Sequence, residues 1–336
     1  MKSFNELTLR GRARRLRKLA AQALDFYELD IERIRLINNI SNCTFRVDAA
    51  DGRSYALRVN LPGLRTKEEI RSELIWQEAV CKETDVAVPL PVRTRSGDLV
   101  VEAEAPGVPE VRCCNLSTWV RGGMLSRSKT PENFQRLGAV AARLHDHGER
   151  FRPPQGFKVP MLDRALPGSL PDLLFDGDPG YEIPDGAYAL MREMKAALES
   201  ELQRLYGSNK PQVIHGDLHW WKRPRLSRTL HPIDFEDCSL AFPIKDIAIT
   251  FYYVLWGDQY QEFLDAFRSG YEQHRPWPEE SPGQLDLLLG QRALDLVNLL
   301  LNSTYAEDRE LIPEFLDIID TAYRAHFERW RHRQTG

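Results

Sequence analysis

The apolar residues of this chain change period once, and that change limits the fold more than any other feature. In "IRLINNISNCTFRVDAADGRSYALRVN" (34–60) the runs "CTFRV" and "YALRV" alternate apolar with polar residues, and "ADG" between them is a turn signal. A second turn, "NNISN" (38–42), joins "IRLI" to the first run, so three consecutive antiparallel strands are predicted. "TKEEIRSELIWQEAVCKETD" then sets Ile70, Leu74, Ile75 and Val80 at helical spacing. "VAVPLPVRTRSGDLVVEAE" and "VRCCNLSTWV" return to strand. After "RGG" (121–123) the pattern is mainly helical, over 131–148, 186–206, 244–270 and 284–302, with a last helix near 312–332.

A chain of 336 residues exceeds what one core usually serves, so two lobes are expected. Residues 1–29 supply an N-terminal helix, 30–120 a small β-rich lobe with one main helix, and 121–336 a larger, mostly helical lobe. That is an α+β architecture with a cleft between lobes, where ligand sites tend to lie. The Pro- and Gly-rich stretch 152–186 reads as a long ordered loop or lid. The opening helix, 8–25, carries a basic face (Arg10, Arg12, Arg14, Arg15, Arg17, Lys18), read as a solvated surface. A net charge of −4 gives no general attraction to nucleic acid or anionic lipid, so neither is expected as a partner. The five cysteines form no C-x-x-C pair, and their odd number suits neither a disulfide framework nor a zinc site. No apolar leader or run of about 18 apolar residues is present, so a soluble cytoplasmic protein is expected.

The chemistry concentrates in "VIHGDLHWWKRPRLSRTLHPIDFED" (213–237). "HGDLHWWK" presents His215 and Asp217, and "IDFED" presents Asp234 and Asp237 after an apolar run. Phosphoryl transfer needs a carboxylate for the attacking hydroxyl, metal ligands, and positive charge on the phosphates. Carboxylates just past a strand end point away from ladder hydrogen bonds and suit a hard divalent ion.

H-G-D-L-H followed by I-D-F-E-D is similar to the aminoglycoside phosphotransferase and choline kinase family, which has the two-lobed protein-kinase-like fold. Within it the chain looks most like the stress-response kinase and homoserine kinase branch, and the order of elements agrees from about residue 30 to 300. The resemblance implies an ATP- and Mg²⁺-dependent kinase. Asp217 then matches the catalytic Asp that accepts or orients the acceptor's hydroxyl proton, and His215 a supporting residue of its loop. Asp234 matches the ligand that holds Mg²⁺ between phosphates, while Asp237 is either a second metal ligand or a hydrogen-bonding scaffold. Asp246 matches a structural helix-start Asp, and His145 is expected to be scaffold. Arg58 sits where the fold places its phosphate-binding Lys, a role that a guanidinium can fill bidentately. Glu73 is its best ion-pair partner, with Glu69 and Glu78 as alternatives. Ser41 and Asn42, in a hairpin without glycine, would cover the phosphates unless that hairpin is a plain turn. Backbone groups of Thr118 and Val120 would meet the adenine.

One position departs from the family. Lys222 stands where members usually carry a metal-binding Asn, and an ammonium cannot ligate Mg²⁺. Arg223-Pro224-Arg225 follow where a buried strand is expected. Lys222 could point outward, could replace the charge of a second metal ion, or could leave the site unable to transfer phosphate. Two functions stay open. One is a kinase, active or weakened, acting on a hydroxyl of a small molecule or of a protein Ser/Thr. The other is a pseudokinase-like nucleotide-binding regulator. Tyr252, Tyr253, Trp256, Asp258, Asn298 and Asn302 are the candidate substrate-side residues, with core packing the alternative for the aromatics.

Overall fold

The computed structural model describes residues 3–335 except Asn5, Ile40, Ser41, Gly168, Ser169, 221–224, 227–229, Thr304 and Tyr305. Ser41 and Lys222, both singled out above, lie outside the described residues. Contacts divide the chain into two compact units, Met1–Gly122 with Pro153–Lys158, and Gly123–Arg152 with Val159–Gly336.

The first unit opens with α1 (Leu9–Leu24), whose N-cap Thr8 accepts a hydrogen bond from Gly11 N. Strands β1 (Ile31–Asn39), β2 (Cys43–Ala49) and β3 (Ser54–Val59) follow as an antiparallel meander. Then come α2 (Lys67–Glu83), β4 (Pro91–Val92), β5 (Val101–Ala103) and β6 (Arg112–Thr118). The sheet order is β1-β2-β3-β6-β4, with β5 also paired to β6. Strand alternation decides which face is buried. Phe45, Val47, Leu57 and Leu116 turn inward onto Leu16, Leu19, Ala23 and Leu24 of α1, so the opening helix belongs to this unit's core. Each such large side chain contributes roughly 1.5–3 kcal/mol by leaving water. Helix α2 begins in a capping box between Thr66 and Glu69, and its Ile70 and Leu74 bury against Leu99 and Val100.

In the second unit β7 (Gly123–Met124) leads into α3 (Pro131–Arg150), which starts at the N-cap Thr130 with Pro131 in its first turn. A long segment whose described residues form no helix reaches α4 (Asp185–Ser208). Next come β8 (Gln212–Ile214), β9 (Arg225–Leu226), β10 (Leu230–His231) and β11 (Ser239–Ala241). Strands β10, β9 and β7 form one small sheet, and β11 pairs with β8 to form another. Helices α5 (Pro243–Tyr252), α6 (Tyr260–Tyr271), α7 (Gln284–Asn302), α8 (Ala306–Arg309), α9 (Ile312–Ile318) and α10 (Arg324–Thr335) complete the unit.

Two helix expectations need correction. The span 244–270 is two helices, because i→i−3 turns at Val254, Leu255 and Gly257 end α5 before α6 begins. The span near 312–332 is interrupted by a π-helical stretch at Ile319–Tyr323, where the Tyr323 hydroxyl donates to the Leu287 carbonyl of α7. No helix among the described residues is long and apolar enough to cross a membrane.

Candidate active site

Antiparallel pairing of β8 with β11 sets Ile214 opposite Ser239 and so brings two loops to one end of the pair. One loop is His215-Gly216-Asp217, leaving β8; the other is the Asp234–Asp237 turn, entering β11. Gly216 has φ +79°, and a Cβ there would lie 2.1 Å from the Asp237 carbonyl oxygen. Only glycine lets the two loops approach so closely.

Asp246, in the first turn of α5, fixes the first loop. Its carboxylate accepts from His215 N at 3.1 Å, from Gly216 N at 2.8 Å and from His145 Nε2 at 3.0 Å. The other nitrogen of His145 lies 2.9 Å from the Tyr271 hydroxyl, which can donate or accept there. Burial pushes the Asp246 carboxyl up, but these hydrogen bonds and the nearby histidines outweigh it and hold the group below the usual range. Asp246 and His145 are thus scaffold by geometry.

Asp217 is 2% exposed. Its amide donates to His215 Nδ1 at 3.3 Å, and the His215 ring packs on Phe235. Thr250 of α5 donates to the Leu218 carbonyl at 2.6 Å and braces the loop from below. Asp217 Oδ1 lies 3.4 Å from His219 Nε2 and 3.2 Å from Arg292 Nη2 of α7. Arg292 also donates to the Tyr253 hydroxyl at 2.9 Å and to Asp295 Oδ2 at 3.2 Å. Burial opposes its charge, yet Tyr253, Asp217, Asp295 and Asp237 more than compensate and raise its pKa. Asp295 goes the other way: burial pushes its carboxyl up.

The Asp217 environment contains a residue that motif reading missed. Arg292 lies 75 positions beyond Asp217. The available signal was the charged pair Arg292 and Asp295, one turn apart in the mostly apolar stretch "LLLGQRALDLVNLLL". Among the candidate substrate-side residues, Tyr253 stacks on His219 at 3.8 Å and joins this site. Tyr252 is buried in the core and Trp256 is exposed. Asn298 and Asn302 donate to the Pro171 carbonyl, anchoring the segment before α4.

Asp234 takes a left-handed backbone (φ 72°, ψ 66°), alone among the described non-glycine residues. Such a conformation is tolerated best by Asn and Asp, and it stores local strain. A single 3₁₀ turn, Phe235–Asp237, follows and buries Phe235. Asp234 and Asp237 therefore stand at the two ends of one short turn, and no group of three or more His, Cys, Asp or Glu that could hold a metal gathers among the described residues.

In the first unit Arg58 Nη2 meets Glu73 Oε2 at 2.6 Å, with side chains only 12% and 6% exposed. The alternatives to Glu73 are engaged elsewhere, Glu69 in the α2 capping box and Glu78 with Arg93 and Lys82. Arg58 Nε also reaches Asn115 Oδ1 at 3.3 Å. The side chain of Asn42 accepts from Leu61 N at 2.8 Å. The Thr118 amide donates to the Leu90 carbonyl, and Trp119 N donates to Ser54 O. Val120 is half-buried just beyond β6.

A model of the phosphotransferase enzyme family (APH) matches residues 33–279, well over half of the chain. An uncharacterised protein of Synechocystis sp., sll1119, is 24% identical over 228 residues, and the match covers 66% of this chain but only 60% of that protein. Among solved structures, a microcompartment-associated aminopropanol kinase is similar with TM-score 0.75 and 23% identity, covering 94% of this chain and 98% of its own. The amicoumacin kinase hAmiN, solved with AMP-PNP, Ca²⁺ and Ami, follows with TM-score 0.73 and 20% identity over 91% of this chain and 94% of its own. Spectinomycin phosphotransferase APH(9)-Ia gives TM-score 0.59 and 12% identity over 93% and 97%. These likenesses show the α+β, protein-kinase-like fold. With the HGD loop and the Asp234–Asp237 turn in place, the chain belongs to the phosphotransferase enzyme family.

Proposed function

We propose that this chain is a kinase that moves the γ-phosphoryl group of ATP to a hydroxyl of a small molecule. The observation that carries this reading is Asp217, buried on a loop whose two preceding amides are held by Asp246. A carboxylate so fixed accepts the acceptor's hydroxyl proton while the new O–P bond forms and the bond from the γ-phosphorus to ADP breaks. Arg58, oriented by Glu73, supplies positive charge to the phosphates. Asp234, with Asp237 beside it, would hold Mg²⁺, which when bound neutralises phosphate charge. Two of the similar structures are kinases whose names give aminopropanol and amicoumacin as their small molecules, which supports a small-molecule acceptor here. A protein Ser/Thr is the other acceptor class to be tested.

The test is ATP consumption against amino alcohols, sugars, aminoglycosides and protein hydroxyls, with Asp217→Ala alongside. Turnover should fall by at least about a thousandfold in the variant while ATP still binds. Unchanged turnover would remove Asp217 from the chemistry.

Lys222, in place of the usual Asn, favours a second reading, a nucleotide-binding regulator that does not catalyse. Thermal-shift titration with ATP separates the two readings. A shift that requires Mg²⁺ supports the enzyme, and one indifferent to it supports the regulator.

A further inference from the structure

Arg292 has no role in any sequence motif of this chain, yet its guanidinium reaches the carboxylate proposed to accept the substrate proton. We infer that Arg292 is a positioning residue for Asp217, held in place by Tyr253 and Asp295, an inference that rests on the kinase reading above. Three independent contacts fix the guanidinium plane: Asp217 Oδ1 at 3.2 Å, the Tyr253 hydroxyl at 2.9 Å from Nη2 and 3.2 Å from Nε, and Asp295 Oδ2 at 3.2 Å. They come from three elements: the loop after β8, the end of α5, and α7 itself. The Tyr253 ring is in turn stacked on His219, whose Nε2 lies 3.4 Å from the same Asp217 oxygen. The Trp220 indole donates to the Tyr253 carbonyl at 3.0 Å and closes the frame.

Charge and geometry give this frame a function. A buried carboxylate rotates about its terminal torsion unless its oxygens are held. Arg292 donates to Oδ1, and the His219 ring lies beside the same oxygen, so the guanidinium biases the orientation of the carboxylate relative to an incoming hydroxyl. A lysine ammonium, a compact point charge on a flexible stem, would reproduce this arrangement only in part, because it lacks the planar fork. At the break between α5 and α6 the Tyr253 carbonyl accepts from Trp220 and the Tyr253 ring stacks on His219.

The experiment compares Arg292→Gln, Arg292→Lys and Asp217→Asn with the unaltered chain. The readouts are kcat and the KM for ATP, measured as ADP release both with the acceptor found in the panel and with water as acceptor. Arg292→Gln should lose roughly a hundredfold or more in kcat while its KM for ATP moves less than about threefold. Arg292→Lys should fall between the two. Added guanidinium ion should restore at least tenfold to Arg292→Gln and nothing to Asp217→Asn, a rescue that a merely structural role would not give. Arg292→Gln that keeps kcat within threefold, or an inactive variant without rescue, overturns the inference. If Arg292→Gln does not fold, Arg292→Lys decides, and unchanged kcat overturns it. Asp217→Asn with full activity would defeat the kinase reading itself, and this inference with it.

Discussion

Lys245 and Asp246 are neighbours on the first turn of α5 and meet opposite conditions in the same buried layer. Asp246 collects three hydrogen bonds. Lys245, 1% exposed, donates to the Leu162 carbonyl at 3.0 Å, and burial pushes its pKa down to about 7 despite the distant charges of Asp295, Asp163 and Glu199. The sign follows from linkage. Below about pH 7 the ammonium is charged in both folded and unfolded chains, and its burial cost is present in full. Between about 7 and the ordinary lysine value the unfolded chain binds more protons, so this cost fades as pH rises. Lys245→Met should therefore raise Tm at pH 6, by roughly 2–6 °C, and the gap from the unaltered chain should narrow by pH 9. Thermal unfolding at the two pH values checks this. A gap that stays the same across that range would show that Lys245 titrates normally in the fold.

Helices α3 and α6 meet backbone to backbone through a pair of glycines. A Cβ on Gly138 would lie 1.9 Å from the Phe267 carbonyl oxygen, and one on Gly270 would lie 1.8 Å from that of Gln135. Neither obstacle is a side chain that could swing aside, so alanine at either position must separate the helices. Gly138→Ala and Gly270→Ala should each cost roughly 1–3 kcal/mol or more, by analogy with overpacked cores. One separation relieves both overlaps, so the double variant should cost clearly less than the two single losses together. Denaturant unfolding measures this, and strict additivity would mean that the two contacts yield independently. The position of α3 was legible in the sequence, because Thr130-Pro131 and the apolar stripe after it act locally. The break between α5 and α6 was not. "FYYVLWGDQYQEF" keeps its aromatic residues at helical spacing, and the helix ends there through tertiary partners, Trp220 on the Tyr253 carbonyl and Arg292 on its hydroxyl. The Arg58–Glu73 pair was legible through the family resemblance, which pointed to Arg58 on its strand and preferred Glu73 to Glu69 and Glu78 on the helix that follows.

The proposed reaction draws on residues of both compact units, Arg58 and Glu73 in one and Asp217, Asp234 and Arg292 in the other. The family resemblance named the first four of these as candidates, because each matches a position of a quoted strand, helix or loop motif. Arg292 escaped because only the fold, and nothing local to α7 beyond its pair with Asp295, brings it to Asp217. Whether the two units serve one nucleotide is a question of energetic coupling. On the kinase reading, Arg58→Met should weaken ATP binding about tenfold or more in the presence of Mg²⁺, the loss expected of a charge-assisted contact. Asp234→Asn should remove the dependence of ATP affinity on Mg²⁺. If both groups address the same phosphates, loss of the metal lets those phosphates shift, and Arg58→Met then costs less in the Asp234→Asn background. The interaction term should exceed about 0.5 kcal/mol, the range within which separate sites usually add. Calorimetric titration of ATP into the four proteins, with Glu73→Gln as a partial version of the Arg58 loss, measures the cycle. Effects that add within that range would show that Arg58 and Asp234 do not act on one nucleotide, and the phosphate role assigned to Arg58 would fall while that of Asp217 stood.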